Sequence, residues 1–170
     1  AASDVYKRQL GEYALAMRED GRSLDETEAQ IRATLPDAHL LLIPRTLENL
    51  VKNGRAPKLA GQLTQMLNIR LAVSPEWKSG EIKAIKKGRG AKRIVTNTMA
   101  DCLAFLAEHP GSSVRVLTTG AAEEQELVSQ ALAGQDYVDA GTGPIGCTIA
   151  THVGVDAIAI SYCPRYQPIH

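Results

Sequence analysis

Apolar side chains recur at helical spacing in several stretches of the chain and form short continuous runs in others. From Leu10 to Met17 they lie three or four positions apart, which predicts an amphipathic helix that Gly21 ends. Ser23 and Glu26 then form a capping box that starts the next helix. Further helices are predicted at 47–51, 57–67, 88–108, 121–132 and 143–151, and strands at 39–43, 69–73, 81–87, 114–118, 137–140 and 156–162.

Only a short turn separates two of the predicted strands. It begins at Pro75 and contains the step Ser79-Gly80, so residues 69–87 predict an antiparallel hairpin. Elsewhere helices and strands alternate, which alone would favour a parallel sheet. The hairpin favours instead an α+β (α/β layered) fold, with a mixed, largely antiparallel sheet packed against helices. Gly141-Thr142-Gly143-Pro144 is expected to be a turn.

The composition indicates an ordinary globular domain and excludes some partners. The chain has 170 residues, 44% of them hydrophobic, and no net formal charge. Bulk attraction to nucleic acid or to an anionic membrane is therefore not expected. One Trp and one Phe leave no aromatic surface for stacking bases. No apolar run has the length of a transmembrane helix.

The cysteines and the chain ends add expectations about location and boundaries. Cys102, Cys147 and Cys163 are widely spaced and odd in number, which favours reduced thiols and a cytoplasmic location. The first residues lack a starting Met and resemble a translated adapter sequence. We therefore expect residues 1–9 to be a non-native leader, 10–163 to be one domain, and 164–170 to be a loose tail.

Arg55 is the first candidate for ligand binding. It follows the helix-ending step Asn53-Gly54 and precedes Pro57, which suits the first turn of another helix. Its guanidinium would then project over a cleft. The alternative is a loop arginine that contacts only water.

A second candidate is a cluster of cations at the start of the long predicted helix: Lys83, Lys86, Lys87, Arg89, Lys92 and Arg93. Cations are unfavourable near a helix N-terminus, which carries partial positive charge. An anion shared with the N–H groups of Gly88 and Gly90 would explain them. A solvated basic face explains them equally well, and a nucleic-acid surface has little support because the whole chain is neutral.

His152 is the third candidate, in the segment Thr151-His152-Val153-Gly154. Its imidazole can donate to a carboxylate, and the glycine permits close approach of a ligand. The alternative is a histidine at the core edge that bonds to a backbone carbonyl. His39, His109, His152 and His170 have no metal-ligand spacing with a cysteine, and no phosphate-binding or nucleophile motif is present.

The order of several segments resembles the DegV family of bacterial fatty-acid-binding proteins. The matching segments are 47–55, 59–61, 67–70, 80–82, 87–90 and 146–154. The chain departs from the family pattern at Leu71, where the family has Pro, and at Gly154-Val155-Asp156, where the family has Gly-Pro-Gly. The hairpin turn is also longer, with 75–79 as the inserted residues.

The resemblance implies a fatty-acid carrier that does no chemistry itself. It identifies the chain as a C-terminal domain, with the N-terminal domain that binds the lipid head missing. The implied ligand-binding residues are Arg55, Arg89, Thr151, His152 and Gly154, with no catalytic residue, metal or cofactor. The implied ligand is a long-chain fatty acid and the implied partner is a fatty acid kinase; transient membrane contact stays open. The alternative is a small cytosolic enzyme that uses His152 with Arg55 or Arg89 on an anionic substrate, although it lacks a nucleophile or a carboxylate pair.

Overall fold

The computed structural model of the protein describes residues 4–62, 68–76 and 78–167. The helices are α1 (Asp4–Glu19), α2 (Leu24–Thr34), α3 (Glu48–Lys52), α4 (Gly90–Glu108), α5 (Ala122–Leu132) and α6 (Cys147–Val153). Two 3-10 segments span Leu35–Asp37 and Pro57–Gln62. The strands are β1 (His39–Ile43), β2 (Ile69–Pro75), β3 (Ile82–Arg89), β4 (Ser112–Thr118), β5 (Tyr137–Pro144) and β6 (Ile158–Cys163).

The strands form one sheet in the order β3-β2-β1-β6-β4-β5. Only β4 and β5 pair in parallel among these strands; every other neighbouring pair is antiparallel. The predicted hairpin is confirmed as β2 and β3, and the predicted α+β fold with a mixed, largely antiparallel sheet is confirmed as well. In the described part of the chain, no helix is both long and apolar enough to span a membrane.

Alternating side chains divide the core into two apolar layers. Leu41 and Ile43 of β1 pack with α4 and α5 on the first face of the sheet. Leu40 and Leu42 pack with α3, α6 and the 3-10 segment Pro57–Gln62 on the second face. Strands β1 and β6 are buried on both faces, so their sequences are nearly continuous apolar runs rather than alternating ones.

The first helix begins before the expected domain boundary. Helix α1 starts at Asp4, and Gln9 within it is only 3% exposed. The Gln9 amide donates to the Ser113 hydroxyl at 3.1 Å and accepts from the Ser161 hydroxyl at 2.6 Å. Residues 4–9 therefore take part in the fold, and a foreign origin for residues 1–9 stays a prediction. In the tail, Tyr166 contacts the ring of Tyr13 and accepts a hydrogen bond from Arg22.

Two local predictions about glycine-rich segments were wrong. Gly88 and Arg89 end strand β3 instead of opening the helix, which begins at Gly90. A Cβ on Gly88 would lie 2.5 Å from the Ile94 nitrogen, so the glycine lets β3 run close against α4. Residues 141–144 lie in β5 rather than in a turn, beside an irregularity in its pairing with β4. Of the helix expected at 57–67, the described part is the 3-10 segment, and residues 63–67 lie outside the described ranges.

His39 of β1 is packed among aromatic rings. Its ring centroid lies 4.8 Å from that of Tyr162 and 5.3 Å from that of Phe105. Burial lowers the pKa of His39 from its ordinary 6.5; Asp37 and Asp101 raise it, and His109 lowers it further.

We expect the free energy of unfolding to fall as the pH drops below about 6.5, because the unfolded chain then binds a proton more readily than the partly buried imidazole of His39 does. Above that pH the contribution is fully present. Urea unfolding between pH 8 and pH 5.5 measures this slope. His39→Phe is expected to flatten it, and equal slopes in the two proteins would contradict the assignment to His39.

Candidate functional site

A groove lies on the second face of the sheet, beneath helices α3 and α6. Its floor is formed by strands β1, β2 and β6, with the side chains of Leu40, Leu42, Val73 and Ala159. Leu50 of α3 and Ile149 and Val153 of α6 form the walls, and Pro75, Gly80 and Ile82 of the hairpin close one end. The cavity volume is about 80 Å³.

Two nitrogen-bearing side chains predicted from the sequence meet at this groove. Among the described residues that line it, only Arg55 and His152 carry ionisable groups. Arg55 is exposed and His152 is partly buried. The pair thus adds a cation and an imidazole to walls that are otherwise aliphatic.

Local backbone geometry explains how Arg55 reaches the groove. Helix α3 ends at Lys52, and Gly54 adopts a left-handed conformation with φ of 66°. The Arg55 N–H then donates to the Leu50 carbonyl at 2.9 Å, so the chain folds back over the end of the helix. This turn places Arg55 beside the end of α3, where it lines the groove.

His152 lies in the last turn of α6. Its Nδ1 is buried and has no hydrogen-bond partner among the described residues. The core-edge alternative required a bond from the ring to a backbone carbonyl, and Nδ1 makes no such bond. A buried imidazole nitrogen without a partner is costly, and this one belongs to a residue that lines the groove.

Thr151 and Gly154 flank His152 without lining the groove. The Thr151 hydroxyl donates to the Thr148 carbonyl within its own helix, at 2.9 Å. Gly154 ends α6 with φ of 78° and ψ of −167°, and its carbonyl accepts from the Thr119 hydroxyl at 2.8 Å. Both residues therefore shape the end of α6, on which His152 lies.

Arg89 lies away from the groove. It pairs with Ile69 at one end of the hairpin, whereas Pro75 and Ile82, which line the groove, pair at the other end. Arg89 is seven positions along the extended strand from Ile82, a distance of about 23 Å. The structure brings Arg55 and His152 together and leaves Arg89 exposed on a separate surface.

Two other cations of the predicted cluster pair with two separate carboxylates. Lys83 pairs with Glu76 at 2.8 Å and Lys86 with Asp101 at 2.9 Å. The Gly90 N–H donates to the Asn68 carbonyl at 3.3 Å, so it is not free for an anion. These contacts favour the interpretation as a solvated basic face.

Sequence reasoning missed a buried ion pair and two asparagines. Arg70 of β2 is 11% exposed and pairs with Glu124 of α5, which is 6% exposed. Burial lowers the pKa of Arg70. Glu124 lies in the first turn of α5, where the helix dipole alone would account for a carboxylate. Asn49 and Asn53 connect α3 to α6, and nothing in their spacing indicates that partner.

The arrangement suits binding better than catalysis. An aliphatic slot with a guanidinium and an imidazole at its edge fits an amphiphile that has an anionic head. No Asp, Glu, Ser or Cys belongs to the described lining, so the groove offers His152 no carboxylate or nucleophile for catalysis.

The buried cysteines are also poor nucleophiles. Burial raises the pKa of Cys102 and of Cys163 to about 12, which keeps both as thiols. No metal-binding group of His, Cys, Asp and Glu occurs within the described ranges.

Comparison with known proteins connects this geometry to one family. The model of the DegV family, described as "Uncharacterised protein, DegV family", matches residues 7–165. A DegV domain-containing protein of Streptococcus pyogenes is 30% identical over 154 residues, which cover 91% of this chain and 53% of that protein. The chain thus spans about half the length of the curated relatives it matches.

Solved structures show the same fold. A structure described as fatty acid binding of a DegV family protein from Thermus thermophilus has a TM-score of 0.81 at 22% identity, covering 92% of this chain and 56% of that one. The Streptococcus pneumoniae Fatty Acid Kinase (Fak) B3 protein, loaded with linoleic acid, has a TM-score of 0.77 at 23% identity, covering 91% and 54%.

Gly154→Ala is expected to lower the free energy of unfolding by about 1–3 kcal/mol, because its dihedral angles belong to a region that is essentially restricted to glycine. The new Cβ would also lie 2.5 Å from Asn49 Nδ2. Urea unfolding measures the loss. The matched control is Gly134→Ala, where φ is 76° but nothing lies within 4 Å of the added Cβ, and the expected loss is about 1 kcal/mol. Equal losses at the two positions would contradict the role of the Asn49 contact.

Proposed function

Because the chain belongs to the DegV family, we propose that it is the C-terminal domain of a carrier for a long-chain fatty acid. The single observation that supports this most is the meeting of Arg55 and His152 at the groove. An acyl chain would lie against the aliphatic walls, and its carboxylate would lie beside the two nitrogen-bearing side chains. The related structures loaded with linoleic or heptadecanoic acid support the choice of ligand class.

The energetics suit a ligand of this kind. Each methylene removed from water contributes about 0.8 kcal/mol, so a long tail supplies most of the affinity. The carboxylate contributes less, because desolvation offsets much of the attraction to a guanidinium. Arg55 and His152 therefore orient the lipid, and the apolar slot holds it.

The size of the cavity supports a second domain as the other wall. Its volume of about 80 Å³ is well below the roughly 300–1,000 Å³ of typical ligand pockets. An N-terminal domain, preceding the matched residues in a longer protein, would enclose the rest of the tail and supply hydroxyl groups to the carboxylate. These 170 residues alone are then expected to retain lipid weakly or not at all.

The carrier performs no reaction and needs no cofactor or metal. It presents the carboxylate to a fatty acid kinase in the cytoplasm, and its exposed Arg89 belongs to the surface that meets this partner. The kinase-associated relative from Streptococcus pneumoniae supports such a partnership. The alternative, a small enzyme built on His152, has no supporting observation beyond the imidazole itself.

Lipid is expected to copurify with the full-length protein, as measured by mass spectrometry of an organic extract. Replacing Arg55 or His152 by Ala is expected to weaken fatty-acid binding about tenfold, because a hydrogen bond to a charged group is lost. Arg32→Ala is the matched control, since Arg32 pairs with Glu28 on the exposed face of α2. Repeated preparations without lipid, together with no binding of added fatty acid, would refute the proposal.

Arg89→Ala is expected to leave the fatty-acid dissociation constant unchanged and to slow phosphorylation of the bound lipid. Arg89 is too far from the groove to contact the lipid, and its exposed side chain is free to meet a partner protein. Phosphoryl transfer by a fatty acid kinase, measured with saturating lipid, tests this. An equal effect on lipid binding would place Arg89 at the ligand instead.

A further inference from the structure

The two polar residues of the groove come from separate segments, and apolar packing alone does not fix their separation. Arg55 follows α3, and His152 lies on α6. Leu50 of α3 and Ile149 and Val153 of α6 belong to the same apolar layer. Apolar contact is non-directional and tolerates sliding of one surface over another. A directional contact is needed to hold the guanidinium and the imidazole at one distance.

Asn53 supplies such a contact. Its side-chain Nδ2 donates to the backbone carbonyl of Thr151 at 3.0 Å. Asn53 precedes Arg55 by two positions, and Thr151 is adjacent to His152. The bond therefore joins the two segments beside the residues whose spacing matters.

The neighbouring contacts extend this connection to the sheet. The Asn49 amide packs against Gly154, where a Cβ would lie 2.5 Å from Nδ2. The Gly154 carbonyl accepts from the Thr119 hydroxyl at 2.8 Å, and that hydroxyl accepts from the Ala157 N–H at 2.9 Å. The end of α6 is thus fixed to the sheet. The hydrogen bond from Asn53 to the Thr151 carbonyl then fixes the end of α3 to α6.

We infer that Asn53 is a positioning residue that holds Arg55 and His152 at the separation needed to bind one carboxylate, an inference that rests on the proposed function. Asn53 does not touch the ligand. Its bond holds the site in the binding geometry before the lipid arrives. The loss of entropy from ordering the Arg55 loop therefore occurs on folding and does not weaken binding of the head group. The tail, which contacts the aliphatic walls, is unaffected.

The test compares two probes that differ only in the head group. Full-length wild-type protein and variants are titrated with hexadecanoic acid and with hexadecan-1-ol, and the ratio of the two dissociation constants measures recognition of the carboxylate. Asn53→Ala is expected to lower the preference for the acid by about fivefold or more, since it disturbs an interaction with a charged group. Affinity for the alcohol is expected to stay within about twofold. Adding Asn53→Ala to Arg55→Ala is expected to cause little further loss, because the two residues act through one interaction.

The matched control is Asn97→Ala. Asn97 Nδ2 donates to the Lys87 carbonyl at 2.8 Å, which is the same kind of bond between a side-chain amide and a backbone carbonyl, but outside the groove. Its acid-to-alcohol ratio is expected to equal that of the wild type. Asn53→Gln keeps an amide donor and is expected to retain most of the preference for the acid.

Three results would overturn the inference. They are an equal loss of affinity for acid and alcohol in Asn53→Ala, an unchanged ratio in that variant, and a loss in Asn53→Gln as large as in Asn53→Ala. Failure of the proposed function looks different, because wild-type protein would then bind neither probe.

Discussion

The antiparallel pairing of β1 with β6 determines which side chains face the groove. Leu42 pairs with Ala159 and Leu40 with Ser161, so all four side chains point to the same face. Leu41 and Ile43 point with Ile158 and Ile160 into the other layer. A shift of one residue would exchange the two sets and would place branched side chains where the groove has Ala159. The apolar slot and the packing of α4 and α5 depend on this single register.

Local signals in the sequence were enough to predict most of the elements. The capping box at Ser23 and Glu26 forms as expected, with the Ser23 N–H donating to the Glu26 carboxylate at 2.8 Å. The apolar runs predict the strands because a central strand buries both faces, and Gly80 fits the hairpin turn with its φ of 69°. Such signals depend on neighbours along the chain, which a sequence displays directly.

Contacts between distant segments account for what could not be predicted. Gly88 is a glycine because a helix crosses close to it, and the sequence does not show that crossing. Arg70 and Glu124 each have an ordinary local explanation, and only the folded structure makes them partners. Asn53 was recognised as a helix end but not as a donor to Thr151. Arg55 and His152 were separate candidates from local signals, and only the resemblance to a family assigned them to one ligand, since no periodicity links the two residues.

The two outer strands of the sheet have a consequence for the behaviour of the protein in a crowded solution. Strand β3 carries Lys83, Lys86 and Lys87, and strand β5 contains an irregularity in pairing followed by Pro144. Charged side chains on one edge strand and a backbone that lacks one N–H on the other both oppose the addition of a strand from another molecule. The domain can therefore have an apolar groove while neither outer strand favours edge-to-edge aggregation of its copies.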